Sequence, residues 1–241
     1  MSESATQVSL VLPVYKQAGF VAATVRSFED VLGRLPIPHE TILVVNGPDD
    51  GSLEICRKLE LEFPAVRALA HDGSGWGSAV RRGIREARGD LICYTNSART
   101  SAGTLLMILE YAIALPGIVI KANRKTRDSV WRHLGSLIFN LQCRALFDLS
   151  NFDVNGTPKV FPRSCARLLE LRREDDLIDA EFLATCREQD YPILELPVVV
   201  TTRHAEGSTT NVTSAARLYL GAIGLRNQMR RETRLARVKR R

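Results

Sequence analysis

Short apolar segments alternate with helical segments through the first half of the chain, and this alternation limits the fold more than any other feature. "VSLVLPVY" (8–15) and "ETILVV" (40–45) are rich in β-branched residues, as buried strands are. The predicted strands are 8–15, 40–45, 66–71 and 90–95, and the predicted helices are 18–32, 50–63, 78–88 and 102–114. Because parallel strands are joined by helical crossovers, this order predicts an α/β fold with a mostly parallel central sheet and helices on both faces.

The second half of the chain is less regular. We expect strands at 118–124, 158–162 and 193–204, and helices at 130–147, 177–189 and 213–241. No Pro-, Gly- or Ser-rich linker and no internal repeat interrupts the sequence. We therefore expect one domain over residues 1–212, followed by a basic amphipathic helix over 213–241.

Positive charge is concentrated near the end of the chain. The whole sequence has a formal net charge of +6, and residues 226–241 contain eight Lys or Arg against the single acid Glu232. The rest of the chain is nearly neutral, which argues against a nucleic-acid-binding surface and favours local contact with an anionic membrane face. The alternatives for this segment are a solvated terminal helix or contact with a second subunit in a homodimer.

Cysteine usage and hydropathy indicate the cellular compartment. The five cysteines are scattered and contain no CxxC pair, which favours packed, reduced thiols in the cytoplasm. No apolar run approaches the ~20 residues of a membrane-spanning helix, and the first residues lack a signal-peptide pattern. We expect a cytoplasmic protein, with peripheral contact at the inner membrane face as the role of the basic segment.

Polar, glycine-rich loops follow the predicted strands. In an open parallel sheet, ligands bind at the carboxyl ends of the strands, so the loops after Val14, Val45, His71 and Thr95 are expected to line one site. "VVNGPDDGS" (44–52) offers backbone N–H groups and side-chain oxygens to a ligand; alternatively, it is a plain turn in which an aspartate caps the next helix.

Several motifs occur in the order and at the spacing of one protein family. They are the G-x-A-x-R-x-G stretch (Gly77, Ala79, Arg81, Gly83), "ARGD" (87–90), the helix with Arg132, Ser136 and Asn140, and "DVNGTPKVF" (153–161). On these motifs the chain resembles the family 2 glycosyltransferases with the GT-A fold, most of all the polyprenyl-phosphate sugar transferases typified by dolichyl-phosphate mannose synthase. The resemblance covers roughly residues 7–210. It implies a nucleoside-diphosphate sugar as donor and a polyprenyl phosphate or a small soluble molecule as acceptor.

The resemblance also implies where the donor binds. The implied donor contacts are Pro13, Tyr15, Gln17, Asn46, Gly47 and Gly77. The aspartate with which the family binds the base is Val45 in this chain, and a valine accepts no hydrogen bond. That contact is therefore either lost or taken over by Asn46.

The metal-binding D-x-D motif of the family is degenerate in this chain. It falls on Asn96, Ser97 and Ala98, with Arg99 directly after them. An amide and an alanine are poor replacements for the anionic oxygens that Mg²⁺ and Mn²⁺ prefer. We therefore predict no tightly bound metal or other cofactor, and at most a weak contact of Mg²⁺ or Mn²⁺ through the donor diphosphate. Arg99 is either a solvated loop residue or a guanidinium that takes the place of the metal at the diphosphate.

Further site residues are implied by the resemblance alone. The implied phosphate contacts are Arg124, Arg132 and Ser136, with Arg127, Lys159 and Arg203 as weaker candidates. Asp179 and Glu181 match a D-x-E motif, and Asp179 is the candidate general base for a hydroxyl acceptor, whereas a phosphate acceptor needs no base. The alternative is that both acids are there because a helix N-terminus favours negative charge.

Two functions remain open from the sequence. The first is sugar transfer in which arginines do some or all of the work of the metal. The second is a catalytically degenerate protein that binds a nucleotide sugar or a partner enzyme, because the family pattern is lost mainly on the donor side.

Overall fold

A seven-stranded sheet in the order β3-β2-β1-β4-β6-β5-β7 organises the chain. The computed structural model describes residues 7–47, 50–125, 130–199 and 212–239, without the side chains of 130–134, 212–216 and 233–239. The strands are β1 (Val8–Val14), β2 (His39–Asn46), β3 (Val66–His71), β4 (Leu91–Tyr94), β5 (Val119–Arg124), β6 (Lys159–Pro162) and β7 (Ile193–Val198). The helices are α1 (Val21–Leu32), α2 (Ser52–Glu62), α3 (Trp76–Glu86), α4 (Ala102–Ala114), α5 (Val130–Phe147), α6 (Ile178–Glu188) and α7 (Val212–Lys239), with a 3-10 helix at Ala166–Glu170.

The sheet is mostly parallel, as predicted, and β6 is the exception. β1 pairs in parallel with β2 and β4, and β5 pairs in parallel with β7, whereas β6 runs antiparallel to both β4 and β5. The carboxyl ends of β1, β2, β4 and β5 therefore share one edge of the sheet with the first residue of β6. We call this edge the carboxyl edge.

Both faces of the sheet are covered, which explains why a central strand such as β1 is buried at every position rather than at alternate ones. On β1, Val8, Leu10, Leu12 and Val14 belong to one buried cluster, while Val11 belongs to the other. The first cluster includes residues of α1, α2 and α4, and the second includes residues of α3, α5, α6 and α7. The predicted helices on both faces are thus confirmed.

The predicted strand at 193–204 is shorter in the structure. β7 ends at Val198, and residues 200–211 lie outside the described residues. The apolar run continues past this end ("PVVVTT"), but hydrogen bonding to β5 stops at Val198. An apolar run in the sequence does not show where strand pairing ends.

The two ends of α6 follow from the strand directions. β6 ends at Pro162, opposite Leu91 at the start of β4, so the chain leaves β6 at the edge opposite the carboxyl edge. β7 begins at that same far edge, because Ile193 pairs with Val119 at the start of β5. Helix α6 therefore runs from the carboxyl edge back across the sheet, and its N-terminal turn lies at the carboxyl edge.

The five cysteines are all buried and none is in a disulfide. The described helices include none that is both long and apolar enough to cross a membrane.

Candidate active site

Gln17 joins three loops at the carboxyl edge. Its side chain is only 9% exposed, and its Oε1 accepts a hydrogen bond from Ser97 Oγ at 2.6 Å. Its backbone N–H donates to Ser52 Oγ at 3.0 Å, and the next N–H, of Ala18, donates to Asp50 Oδ2 at 3.3 Å. The loops after β1, β2 and β4 are therefore held together by protein hydrogen bonds.

The loop at the degenerate motif uses its own oxygens. Asn96 Oδ1 accepts the N–H of Ala98 at 3.0 Å, and the Asn96 carbonyl oxygen accepts the N–H groups of Arg99 and Thr100, each at 3.1 Å. Thr100 Oγ1 is 2.7 Å from Thr95 Oγ1. The turn is therefore stabilised by hydrogen bonds among its own residues, and the Arg99 side chain is exposed to solvent.

These donors do not fit a tightly bound divalent ion. The Asn96 amide oxygen and the Ser97 hydroxyl are engaged in hydrogen bonds, and Ala98 has no ligand atom. In the described part of the chain, no group of three or more His, Cys, Asp or Glu side chains is placed to hold a metal. Mg²⁺ and Mn²⁺ prefer carboxylate oxygens, so we derive no catalytic step through a metal held by this loop.

Tyr15 packs against the loop after β2. Gly47 has a φ of 91°, and a Cβ at this position would overlap the Tyr15 ring, so the ring lies directly against the glycine backbone. Tyr15 is 45% exposed, which leaves part of the ring open to a ligand. Pro13 is buried within β1, opposite Val44, and lies just before the loop that contains Tyr15.

Asn46 has a buried acceptor that lacks a partner. Its side chain is 5% exposed, and its Nδ2 donates to the Gly75 carbonyl oxygen at 3.0 Å. Its Oδ1 is buried and, among the described residues, receives no hydrogen bond. A buried acceptor without a partner is costly, so the Asn46 oxygen retains the capacity to accept an N–H group from a ligand at this loop.

Gly77 is required for packing between two loops. A Cβ on Gly77 would lie 2.5 Å from the carbonyl oxygen of Asp175, and one on Gly75 would lie 2.7 Å from that of Glu174. The N–H of Ser78 donates to the same Glu174 oxygen at 2.9 Å. The structure therefore places Gly77 against the backbone of residues 173–175, at the start of α3.

Lys159 and Asp179 form a buried ion pair. Lys159 is fully buried, and its Nζ donates to Asp179 Oδ1, which also accepts a hydrogen bond from Tyr94 Oη at 2.9 Å. Burial lowers the pKa of Lys159, although the charge of Asp179 opposes this effect. Burial also raises the pKa of Tyr94, and the neighbouring Asp179 raises it further. Both candidate site residues are thus engaged with each other beneath the carboxyl edge.

Arg124 is paired with Asp153. Its Nε and Nη2 donate to the two carboxylate oxygens at 2.8 and 2.9 Å, and its backbone N–H donates to Oδ2 at 3.0 Å. Burial opposes the charge of Arg124, but the hydrogen bond and the charge of Asp153 outweigh burial and raise its pKa. The bidentate contact holds the turn at 153–157 to the end of β5.

A second buried pair lies behind this one. Lys121 is fully buried and donates to Glu195 on β7, whose carboxylate also accepts the N–H groups of Phe152 and Asp153. Burial lowers the pKa of Lys121 to about 8. Glu195 therefore fixes the backbone that carries Asp153, and through it the orientation of Arg124.

Asp176 is an acid outside the family motifs. It precedes α6 and has an exposed side chain, whereas Asp179 and Glu181 are 4% and 8% exposed. Glu181 accepts backbone N–H groups from Arg172 and Arg173, the latter at 2.8 Å. The "EDD" run at 174–176 was the available signal, and all three of its acids are exposed in the structure.

The environment of Asp176 perturbs its titration. The loop that contains Asp176 packs against the glycine-rich loop before α3. The surrounding protein therefore excludes water from part of the Asp176 carboxyl group. This desolvation, followed by the negative charges of Asp179 and Asp175, raises the pKa of Asp176. A carboxylate whose pKa is raised is a stronger base than that of an ordinary aspartate.

Some of the other predicted site residues lie outside the described part of the chain. Arg127 and Arg203 lie outside the described residues, and Arg132 lies on α5 with its side chain outside the description. Ser136 is half-buried one turn further along α5. Asn140, also on α5, accepts the N–H of Val154 at 3.0 Å and so ties the helix to the turn that holds Arg124.

Comparison with known proteins identifies the family of the chain. Residues 9–166 match the family described as Glycosyl transferase family 2. An undecaprenyl-phosphate 4-deoxy-4-formamido-L-arabinose transferase from Pectobacterium atrosepticum is 26% identical over 149 residues, which are 60% of this chain and 45% of that protein. Glycosyltransferase AglD from Haloferax volcanii is 36% identical over 91 residues, which are 36% of this chain and 15% of that protein. The chain thus spans about half the length of the arabinose transferases that it matches.

A solved structure confirms the fold. Glucosyl-3-phosphoglycerate synthase from Mycobacterium tuberculosis, in complex with Mn²⁺, uridine diphosphate and phosphoglyceric acid, superposes with a TM-score of 0.72 at 14% identity. The match covers 92% of this chain and 78% of the synthase. The predicted GT-A fold is therefore confirmed.

Proposed function

The chain belongs to glycosyl transferase family 2, and from this premise we propose that it transfers a sugar from a nucleoside-diphosphate sugar to a polyprenyl phosphate or a small soluble acceptor. The observation that carries the proposal is the buried Oδ1 of Asn46, which has no partner among the described residues and directly precedes Gly47, whose backbone lies against the half-exposed ring of Tyr15. In this proposal the base stacks on Tyr15 and donates an N–H to Asn46.

The diphosphate of the donor lies over the loop that contains the degenerate motif. Its leaving group gains negative charge during transfer and needs a positive partner. The proposal assigns this task to arginines, with Arg99 at the outer side of the loop as the first candidate, because a guanidinium contacts two phosphate oxygens at once. Any Mg²⁺ or Mn²⁺ that takes part is held by the donor diphosphate and not by Asn96, Ser97 and Ala98.

The acceptor side is formed by α5 and the turn after it. Arg132 and Ser136 are the proposed phosphate contacts, and Arg124 shapes this side through its pairing with Asp153. The relatives named as undecaprenyl-phosphate transferases favour a polyprenyl phosphate, which is anionic and needs no base. For a hydroxyl acceptor, the exposed Asp176 is the proposed base, while Asp179 holds Lys159 in place.

The proposal also includes peripheral contact with an anionic membrane through α7. It follows from the concentration of Lys and Arg in residues 226–241 and brings the acceptor side close to a lipid-linked substrate.

A donor and acceptor panel tests the proposal. Purified protein is incubated with UDP- and GDP-sugars, and with either undecaprenyl phosphate in detergent or phosphorylated small molecules, and products are followed by mass spectrometry. We expect one pairing to give product and Arg132→Ala to abolish it. Absence of product with every pairing, from protein that is folded and binds nucleotide, contradicts the proposal.

The second candidate is a binding protein without turnover. It is favoured by the loop hydrogen bonds of Gln17, Ser97 and Asn96, which close the donor side without a metal. Calorimetric binding of a nucleotide sugar, combined with no product in the panel, would support this candidate.

A further inference from the structure

Helix α5 presents large apolar side chains to solvent. Leu137, Ile138 and Leu141 are 45%, 49% and 53% exposed, and their spacing places them on one side of the helix. The opposite side buries Phe139 and Cys143 in the core. Isolated apolar residues on a surface are ordinary, but adjacent ones on a single helix face are not.

Helix α7 has the same arrangement. Leu220 and Ile223 are 70% and 44% exposed, at a spacing of three residues. The other side of the helix buries Ala222 and Leu225 in the same core cluster as Phe139 of α5. The apolar content of α7 is therefore divided between the core and the solvent.

The two helices lie side by side. The rings of Phe139 and Tyr219 are 5.9 Å apart, Tyr219 Oη donates to the Gly135 carbonyl oxygen at 2.7 Å, and Gln142 Nε2 donates to the Tyr219 carbonyl oxygen at 2.9 Å. Because both helices bury one side in the same core, their exposed sides both point away from the body. We call the exposed apolar side chains of these two packed helices, Leu137, Ile138, Leu141, Leu220 and Ile223, the α5–α7 apolar face.

The charges on these helices indicate what this face contacts. The sequence of α5 contains no Asp or Glu, and the part of α7 whose side chains are described contains Arg217, Arg226, Arg230 and Arg231 and the single acid Glu232. Glu232 is paired with Arg172. An apolar surface bordered by unbalanced positive charge is complementary to the headgroups and upper acyl chains of an anionic bilayer. A second copy of the chain is disfavoured, because pairing two such faces would bring arginine-rich helices together.

We propose that the α5–α7 apolar face inserts into the surface of an anionic membrane. This inference rests on the membrane contact included in the proposed function, and it identifies the residues that enter the lipid. Helix α5 follows β5, whose end lies at the carboxyl edge, so insertion of this face would hold the acceptor side of the site at the bilayer surface.

Vesicle co-sedimentation of the full chain tests this proposal. The vesicles are either phosphatidylcholine alone or an equal mixture with phosphatidylglycerol, each at low and at high salt. The variant is the triple substitution Leu137→Gln, Leu141→Gln and Ile223→Gln. The matched control is Leu61→Gln, because Leu61 is 89% exposed on α2, away from this face.

The wild type and Leu61→Gln are expected to bind the anionic vesicles, with partition falling on the order of tenfold or more in high salt or with neutral lipid. The triple variant is expected to lose about tenfold or more in partition, since each inserted apolar side chain contributes to binding. Its thermal unfolding should match that of the wild type, because the substituted side chains are at the surface.

Three results would overturn the proposal. They are equal binding by the triple variant and Leu61→Gln, equal binding of the wild type to neutral and anionic vesicles, and a wild-type dimer in solution that the triple variant converts to a monomer. Sugar transfer is not measured, so failure here and failure of the proposed function can be distinguished.

Discussion

Asn46 provides the most specific chemistry in the candidate donor site. Asn46→Ala removes the unpartnered Oδ1 together with its Nδ2 bond to Gly75. Nucleotide binding should weaken about tenfold, since one hydrogen bond to a base contributes roughly 1–2 kcal/mol. Calorimetric titration with UDP and GDP measures this change. The control is Asn227→Ala, because Asn227 is an exposed asparagine on α7; equal affinities in the two variants would contradict the role of Asn46.

Asp176 and Asp179 should behave differently when their charge is removed. With a hydroxyl acceptor, Asp176→Asn should lower kcat on the order of a hundredfold by removing the general base. The wild-type rate should rise with pH through the raised pKa of Asp176, because only the deprotonated carboxylate accepts a proton, and this rise should be absent in Asp176→Asn. With a phosphate acceptor, Asp176→Asn should keep the wild-type rate, so the pH–rate profile also identifies the acceptor class.

Asp179→Asn should instead destabilise the protein. It leaves Lys159 fully buried without a counter-charge, and breaking a buried pair costs about 3–5 kcal/mol. Denaturant unfolding of both variants separates the roles. A stability loss in Asp176→Asn as large as that in Asp179→Asn would contradict the assignment of Asp176 to proton transfer.

The sequence indicates which residues lie near each other at the ends of adjacent strands, but not which side chains pair. Tyr15, Asn46 and Gly47 lie at the same edge because β1 and β2 are adjacent and parallel and end there. The pairing of Lys159 with Asp179 depends on the packing of α6 against β6, which the sequence does not specify. Asp179 therefore matched the pattern of a base although its carboxylate is buried.

Glycines at two helix N-termini should respond in opposite ways to a methyl group. Gly77→Ala places a Cβ 2.5 Å from the Asp175 carbonyl oxygen, and it should cost about 1–3 kcal/mol through overpacking. Gly103→Ala, in the first turn of α4, meets nothing within 4 Å and should stabilise by roughly 0.5–1 kcal/mol. Urea unfolding measures both; a Gly77→Ala protein as stable as Gly103→Ala would contradict the packing of α3 against residues 173–175.

The positions of most elements could be predicted from hydrophobic periodicity, but their directions could not. The expected strand at 158–162 corresponds to β6 at Lys159–Pro162, and the expected helix at 130–147 corresponds to α5. The antiparallel direction of β6 had no signal in "PKVFP", because a strand that is buried on both faces has the same pattern in either direction. The position of the start of α6 at the carboxyl edge therefore depends on the direction of β6, which the sequence pattern does not show.

At the scale of the whole molecule, α7 carries both exposed apolar side chains and arginines, and it packs beside α5, which also exposes apolar side chains. The sequence showed the concentration of positive charge near its end, but "LIFNLQC" in α5 gave no indication of which apolar residues face solvent. That division appeared only once α5 and α7 were placed on a common core. The proposed membrane face and the candidate acceptor side thus share one helix.

The dependence of sugar transfer on divalent metal tests the central claim most directly. A metal that stabilises a leaving diphosphate supplies several kcal/mol, so an enzyme that required it would lose about a thousandfold in rate in excess EDTA. We predict that the donor and acceptor pair found in the panel reacts in EDTA at a rate within about tenfold of that with added Mn²⁺. Activity that vanishes in EDTA and returns in proportion to bound Mn²⁺ would contradict the account, since the loop at Asn96, Ser97 and Ala98 would then have to support a metal that its donor atoms do not fit.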